Sequence, residues 1–237
     1  MNDIETEIKS SHKKTIYLSH NYDSFLKSVQ ARAPIFYFLK KKYNFKGEVL
    51  ELGAGSCWLS ALMSKIPEVK NVYAVDISKE LLERIGNKVI VDLRGNKEKI
   101  KLISADFHKL PFADNKFDVI ICDASLHHAQ NLPIFLKEAN RVLKEDGFLV
   151  AVREPIKSFL HYYNLREFGK KEIGVGATEN IYSKTEWKKY FDQTGFELNF
   201  FEEFNKVDKK TNILRVPFLK SFNGILFSRY YFFATKK

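Results

Sequence analysis

The chain has 237 residues, 45% hydrophobic and 29% charged, with a formal net charge of +10. That is one ordinary domain, or one with a small insertion, large enough to bury a core without staples. Its two cysteines, Cys57 and Cys122, show neither a CxxC pair nor ligand spacing, so a disulfide framework and a metal site are not expected.

The start, MNDIETEIKSSHKK, has no apolar signal core, and nowhere do about 18 apolar residues run together. A cytoplasmic protein without a transmembrane segment is therefore expected. The positive charge is mostly lysine in scattered pairs and one triplet, Lys40-Lys41-Lys42, while arginine is scarce. Arginine is the better fork for phosphate, so a nucleic-acid partner is not expected. Together with abundant Ile, Asn and Phe, the lysines fit an AT-rich genome.

In chain order, residues 1–20 are polar and read as loose. Residues 23–43 read as helix broken near Pro34. EVLELGAG (48–55) is a short apolar run ending in glycines, a buried strand. SCWLSALMSKI (56–66) reads as helix stopped by Pro67. NVYAVDIS (71–78) is a second strand ending on an acid, and a helix starts at Ser78 as its cap. KIKLISADF (99–107) and FDVIICDASLHH (117–128) are further strands, each carrying an acid at its end. LPIFLKEANRVLK (132–144) reads as helix closed by Gly147, and FLVAVREP (148–155) as a fifth strand. This alternation predicts βαβ units and a parallel sheet covered on both faces. Beyond 155 the rhythm breaks. Residues 184–196 read as helix, and 197–204 with 225–237 as a closing antiparallel pair joined by a long connection.

The first strand delivers Glu51-Leu52-Gly53-Ala54-Gly55-Ser56-Cys57 into a helix. Two glycines allow a tight turn and close approach of a ligand, and the helix start offers free N–H groups. Asp76 ends the next strand, where an acid suits ribose hydroxyls. A dinucleotide turn wants a third glycine three positions after Gly55, and Trp58 stands there. Glu51 also precedes the turn, and a pyrophosphate would dislike that charge. A ligand with a cationic end, such as S-adenosylmethionine, would not.

ELGAGSCWLS, AVDIS, ISADFHKLPFADNKFDVIICDASLHH and RVLKEDGFLVAVREP resemble the successive motifs of class I S-adenosylmethionine-dependent methyltransferases, in the group acting on small molecules, sugars and quinones. The resemblance spans about 45–155. It implies a doubly wound, mostly parallel seven-stranded α/β sheet with a C-terminal antiparallel strand and an inserted lid after strand 5. Residues 1–44 would be an N-terminal helical cap, 45–155 the cofactor-binding core, and 156–237 the lid and closing strands. It also implies an enzyme that converts S-adenosyl-L-methionine to S-adenosyl-L-homocysteine.

By the same resemblance, Gly53, Ala54 and Gly55 would lie against the methionine part and ribose. Glu51 would orient that turn or meet the cofactor's amino group; the alternative is a buried acid capping backbone N–H groups. Asp76 would bind ribose, Ile77 would pack on adenine, and Asp106 would accept from the adenine amino group with Phe107 beside the ring. Asp123 stands in the motif that faces the sulfonium. Cys57 replaces the third glycine of the family's turn and reads as a small buried residue.

His127 or His128 is the candidate general base, against packing beneath the cofactor. Arg153 and Glu154 are candidates to hold the acceptor, against a local ion pair. The segments 161–163 and 174–183 read as an inserted lid, with Tyr162, Tyr163, Glu179, Asn180 and Tyr182 as candidate substrate contacts. Polar and aromatic lining suits a sugar or glycan acceptor, and the lid also resembles methyltransferases of bacterial glycan genes. RNA, protein or a lipid or quinone acceptor are the rival readings, with a cofactor-binding non-enzyme as another. The amphipathic start, with Tyr17, Tyr22 and Phe25, would close over the cofactor.

Overall fold

A computed structural model describes residues 2–156, 180–201 and 229–237. Its centre is a seven-stranded sheet in the order β3-β2-β1-β4-β5-β7-β6. The strands are β1 (Gly47–Leu52), β2 (Val69–Asp76), β3 (Ile100–Ser104), β4 (Phe117–Asp123), β5 (Leu143–Pro155), β6 (Phe196–Phe201) and β7 (Arg229–Lys236). β1 to β5 pair in parallel, and β7 runs antiparallel between β5 and β6. The order reverses at β1 and β4, which neighbour each other and lead to opposite flanks. In open α/β sheets, ligands bind beyond the carboxyl ends of strands at such a switch point.

Strand alternation divides the core. Leu50, Leu52, Ile120 and Cys122 join one apolar cluster with Phe135, Leu136 and Ala139 of α7 (Leu132–Val142). Val49, Val72, Val119 and Ile121 join the other with Trp58, Leu59 and Met63 of α4 (Trp58–Met63). Glu51 shares the parity of Val49, so its carboxylate is carried toward α4 and is buried there. Both faces are covered, as near-continuous apolar strands require.

Residues 2–20 are not loose. They form α1 (Asn2–His20), followed by α2 (Tyr22–Gln30) and α3 (Ala33–Lys42), the last with Pro in its first turn. Few apolar residues mark α1; tertiary contacts hold it. Thr15 and Leu18 are buried, His12 Nδ1 lies 2.6 Å from Glu80 Oε2, and the Tyr22 hydroxyl donates to Asp92 at 2.7 Å. These contacts dock α1 and α2 on α5 (Lys79–Leu81), the π-helical turn after it (Leu82–Gly86) and α6 (Asn87–Asp92).

Ser78 caps α5 as predicted, its hydroxyl accepting from Leu81 N at 3.1 Å. Gly147 does not close α7. It lies inside β5, where a Cβ would come within 2.7 Å of Leu143 Cδ1. Close packing, not a left-handed cap, selects the glycine there. After α8 (Lys184–Gln193), Gly195 takes φ +81°, the backbone state that stops that helix. The connection 205–224 and most of the lid lie outside the described residues.

Candidate active site

The site is built on five strand ends, those of β1 to β5. After β1 the chain turns through Gly53 (φ +68°) and Gly55 (φ +49°), then Cys57 (φ 56°) at the cap of α4. A Cβ on Gly53 would lie 2.4 Å from Ser125 Cβ, so only glycine lets this turn pass the loop after β4. A Cβ on Gly55 would touch Asp76 Oδ2, Gly53 O and Leu81 Cδ2, each at 3.9 Å, so there the positive φ and not crowding favours glycine. Ala54 is buried, its N–H donating to Val75 O at 2.9 Å. Cys57 is buried against Gly86, and burial raises its thiol pKa well above normal, so it is a packing residue.

Glu51 sits beneath the turn. Its Oε2 accepts from Ser60 N at 2.8 Å and from the Ser60 hydroxyl. It therefore caps the first turn of α4 from below, as a buried acid on backbone N–H groups would. Burial lifts its pKa to about 8, against the pull of the Ser60 bonds.

Asp76 holds the turn from the side. Its Oδ2 accepts from Gly55 N at 2.8 Å and its Oδ1 from Ser78 N at 2.9 Å. Burial raises its pKa, opposed by those two N–H groups and by the charge of Lys14 on α1. Two of the carboxylate's acceptor positions are used, and two remain for a ligand. Ile77 is half-buried beside it. Of the amphipathic start, Tyr22 is buried and Tyr17 is 65% exposed.

Asp106 follows β3. Its Oδ1 accepts from His108 N at 2.8 Å and pairs with His108 Nδ1 at 2.7 Å. Phe107 beside it packs edge-on against Phe135. His108 was not among the sequence candidates, although an Asp two residues before a polar side chain is an Asx-turn signal.

Asp123 and Arg153 form one unit. Arg153 Nε donates to Oδ1 at 2.5 Å and Nη2 to Oδ2 at 2.7 Å, while Trp58 Nε1 donates to Oδ2 at 2.6 Å. Arg153 sits at φ 61° beside an irregularity in the β5–β7 pairing, which re-aims a residue at a strand end. Burial works against its charge, yet Asp123 more than offsets this and the pKa rises. Arg153 is thus held in a local ion pair. Trp58, which argued against a pyrophosphate, is a partner of Asp123.

Glu154 is fully buried and organises the loop after β4. Its Oε1 accepts from Ser125 N at 2.9 Å and Leu126 N at 3.0 Å, and its Oε2 from His127 N at 3.3 Å. The same Oε2 lies 2.7 Å from His127 Nδ1. Four donors converge on one carboxylate, which fixes the short 3-10 turn Leu126–His128. His128 packs on His127 with ring centroids 4.1 Å apart. Asn180 N donates to His127 O and its side chain to Ala129 O, so the described end of the lid is tied to this loop. Tyr182 packs edge-on against Trp187 and Tyr190. Tyr162, Tyr163 and Glu179 lie outside the described residues. Among the described residues, no group of three His, Cys, Asp or Glu is arranged to hold a metal ion, and no helix is long and apolar enough to cross a membrane.

The methyltransferase-domain family matches residues 50–151, the stretch that supplies the glycine turn, the strand-end acids and the His127 loop. The chain carries a methyltransferase domain, on the fold of S-adenosylmethionine-dependent methyltransferases. It is 27% identical over 170 residues to a demethylmenaquinone methyltransferase of Staphylococcus aureus, covering 70% of this chain and 67% of that one. Another strain's protein of that description is 29% identical over 59% of this chain and 63% of its own length. The chain thus spans about two thirds of the length of these curated relatives. Among solved structures it shares its fold with a geranyl diphosphate C-methyltransferase from Streptomyces coelicolor A3(2), in complex with S-adenosyl-L-homocysteine (TM-score 0.65, 16% identity, 95% of this chain and 84% of that one). It shares it also with a SAM-dependent methyltransferase from Thermotoga maritima (TM-score 0.62, 18% identity, 93% and 97%). The methyltransferase site suits S-adenosylmethionine. The glycine turn is braced by Asp76 through Gly55 N, and Asp76 and Asp106 offer acceptor oxygens beside it.

Proposed function

We propose that this methyltransferase transfers a methyl group from S-adenosylmethionine to a small acceptor bearing an ionisable hydroxyl, with His127 as general base. The observation that carries this is the buried Glu154–His127 pair, 2.7 Å apart at the switch-point end of the sheet. With Nδ1 donating to Glu154, the lone pair of a neutral ring lies on Nε2. A carboxylate behind an imidazole fixes its tautomer and favours proton uptake.

Gly53, Ala54 and Gly55 would hold the amino-acid end and ribose, with Glu51 beneath them, Asp76 on the ribose hydroxyls, and Ile77, Asp106 and Phe107 around adenine. Bound S-adenosylmethionine supplies an electrophilic methyl group on a cationic sulfur. His127 removes the acceptor's hydroxyl proton, raising the nucleophilicity of that oxygen and of any conjugated ring carbon. Glu154 holds His127 and the loop. The Asp123–Arg153 pair with Trp58 braces the floor, and Tyr182 lends an aromatic wall.

A hydroxylated aromatic of the quinol class is the favoured acceptor, because the relatives' names place that chemistry in proteins matching this chain. A sugar-type acceptor is the second reading, supported by the polar Asn180 beside the His127 loop. A cytoplasmic location fits either acceptor. The test uses methyl-labelled S-adenosylmethionine, purified protein and fractionated cell extract. Label in the lipid-soluble small-molecule fraction supports the quinol class, and label in water-soluble glycans supports the sugar. Label in RNA or protein refutes a small acceptor.

A further inference from the structure

The Asp106–His108 contact has a defined polarity. Asn131 N donates to His108 Nε2 at 3.3 Å. A backbone N–H only donates, so Nε2 is the accepting nitrogen and Nδ1 carries the proton. His108 therefore donates twice to Asp106 Oδ1, from its backbone and from its ring. The ring is held at both ends, packs 5.0 Å from Phe107, and is mostly buried. Both donors act on Oδ1, so neither consumes the acceptor capacity of Oδ2, and the Asp106 side chain is a third exposed. Asn131 is itself fixed, its side chain capping α7 through Ile134 N at 3.1 Å.

We infer that His108 is a positioning residue for base selectivity: it locks the Asp106 carboxylate so that Oδ2 reads the 6-amino group of adenine. The inference rests on the proposed pairing of Asp106 with adenine. Without the ring donor, the carboxylate keeps only the backbone N–H and is free to rotate away from the base edge. The ring has no contact of its own with the ligand in this scheme; it acts through Asp106.

The experiment is calorimetric titration of the full chain with S-adenosylhomocysteine and with its 6-deamino analogue, which carries hydrogen in place of the amino group. Wild type should prefer the amino ligand by about tenfold or more, the worth of one hydrogen bond to a charged acceptor. His108→Ala should bring that ratio to within about twofold of unity, mainly by weakening the amino ligand. Two conservative variants separate positioning from general support. The amide of His108→Asn stands near Nδ1 and should restore most of the preference. The amide of His108→Gln stands near Nε2, keeps the Asn131 side and should behave like alanine. This pair also serves if the alanine variant does not fold. Equal weakening of both ligands in every variant, or an unchanged ratio in His108→Ala and His108→Gln, overturns the inference. If wild type does not distinguish the two ligands, the adenine assignment of Asp106 itself fails.

Discussion

Glu51→Gln offers a quantitative test of the base of the site. The Glu51 carboxyl is buried under the glycine turn, and its Oε2 takes both Ser60 donors. A neutral carboxyl satisfies that geometry with its carbonyl oxygen, and a glutamine amide reproduces it. The pKa is raised from 4.5 to about 8. The native state therefore binds a proton that the unfolded chain releases, and stability falls as pH rises from about 4.5 to about 8. At about 1.4 kcal/mol per pH unit, the full span corresponds to about 5 kcal/mol, an upper bound once the site relaxes. Urea unfolding across pH 5 to 9 should show wild type losing a few kcal/mol from this carboxyl. Glu51→Gln should be flatter and, at the alkaline end, about 2–4 kcal/mol more stable than wild type. A variant with the wild-type slope, or one less stable at every pH, would refute the buried neutral carboxyl.

The same geometry sets three further outcomes. Gly53→Ala should cost at least about 2 kcal/mol and abolish cofactor binding, since it combines a positive φ with a Cβ 2.4 Å from Ser125; a normal melt with normal affinity contradicts this. Asp123→Asn leaves Arg153 buried without its charge partner and should destabilise by about 3–5 kcal/mol in urea. The double variant Asp123→Asn with Arg153→Met should recover part of that loss, and strict additivity would show that the two residues do not act as a pair. His127→Asn should lower kcat by about 10²- to 10⁴-fold while leaving S-adenosylmethionine affinity unchanged, and an undiminished kcat excludes the base.

Local pattern makes the sequence legible where strands are apolar runs ending in acids. Gly53, Asp76, Asp106 and Asp123 stand out because the end of a buried strand marks the rim of the site. Partners are harder to read, since pairing across strands depends on register. Arg153 meets Asp123 only because Asp123 pairs with Val152 in the β4–β5 ladder and β5 turns through φ 61° at Arg153. Glu154 looks like a ligand group by position, yet four donors of one loop occupy it. The helix α1 escapes a pattern reading because its stability comes from docking through Thr15, Leu18 and His12 and not from periodicity. Gly147 misleads because a glycine after a helix usually caps it, and close packing against Leu143 selects the same residue. His108 is legible only from turn chemistry, as the residue two positions after an Asx-turn acid.

The placement of the cofactor is tested most directly by calorimetric titration of S-adenosylmethionine into wild type and Asp76→Ala. Asp76, the proposed ribose acid, also braces the turn through Gly55 and Ser78, so its loss acts on both ligand and cradle. Wild type should bind at one site per chain, and the variant should bind at least about 50-fold more weakly, roughly the worth of two charge-assisted hydrogen bonds. Equal affinity in the two proteins would contradict the placement of the cofactor, and with it the chemistry assigned to His127.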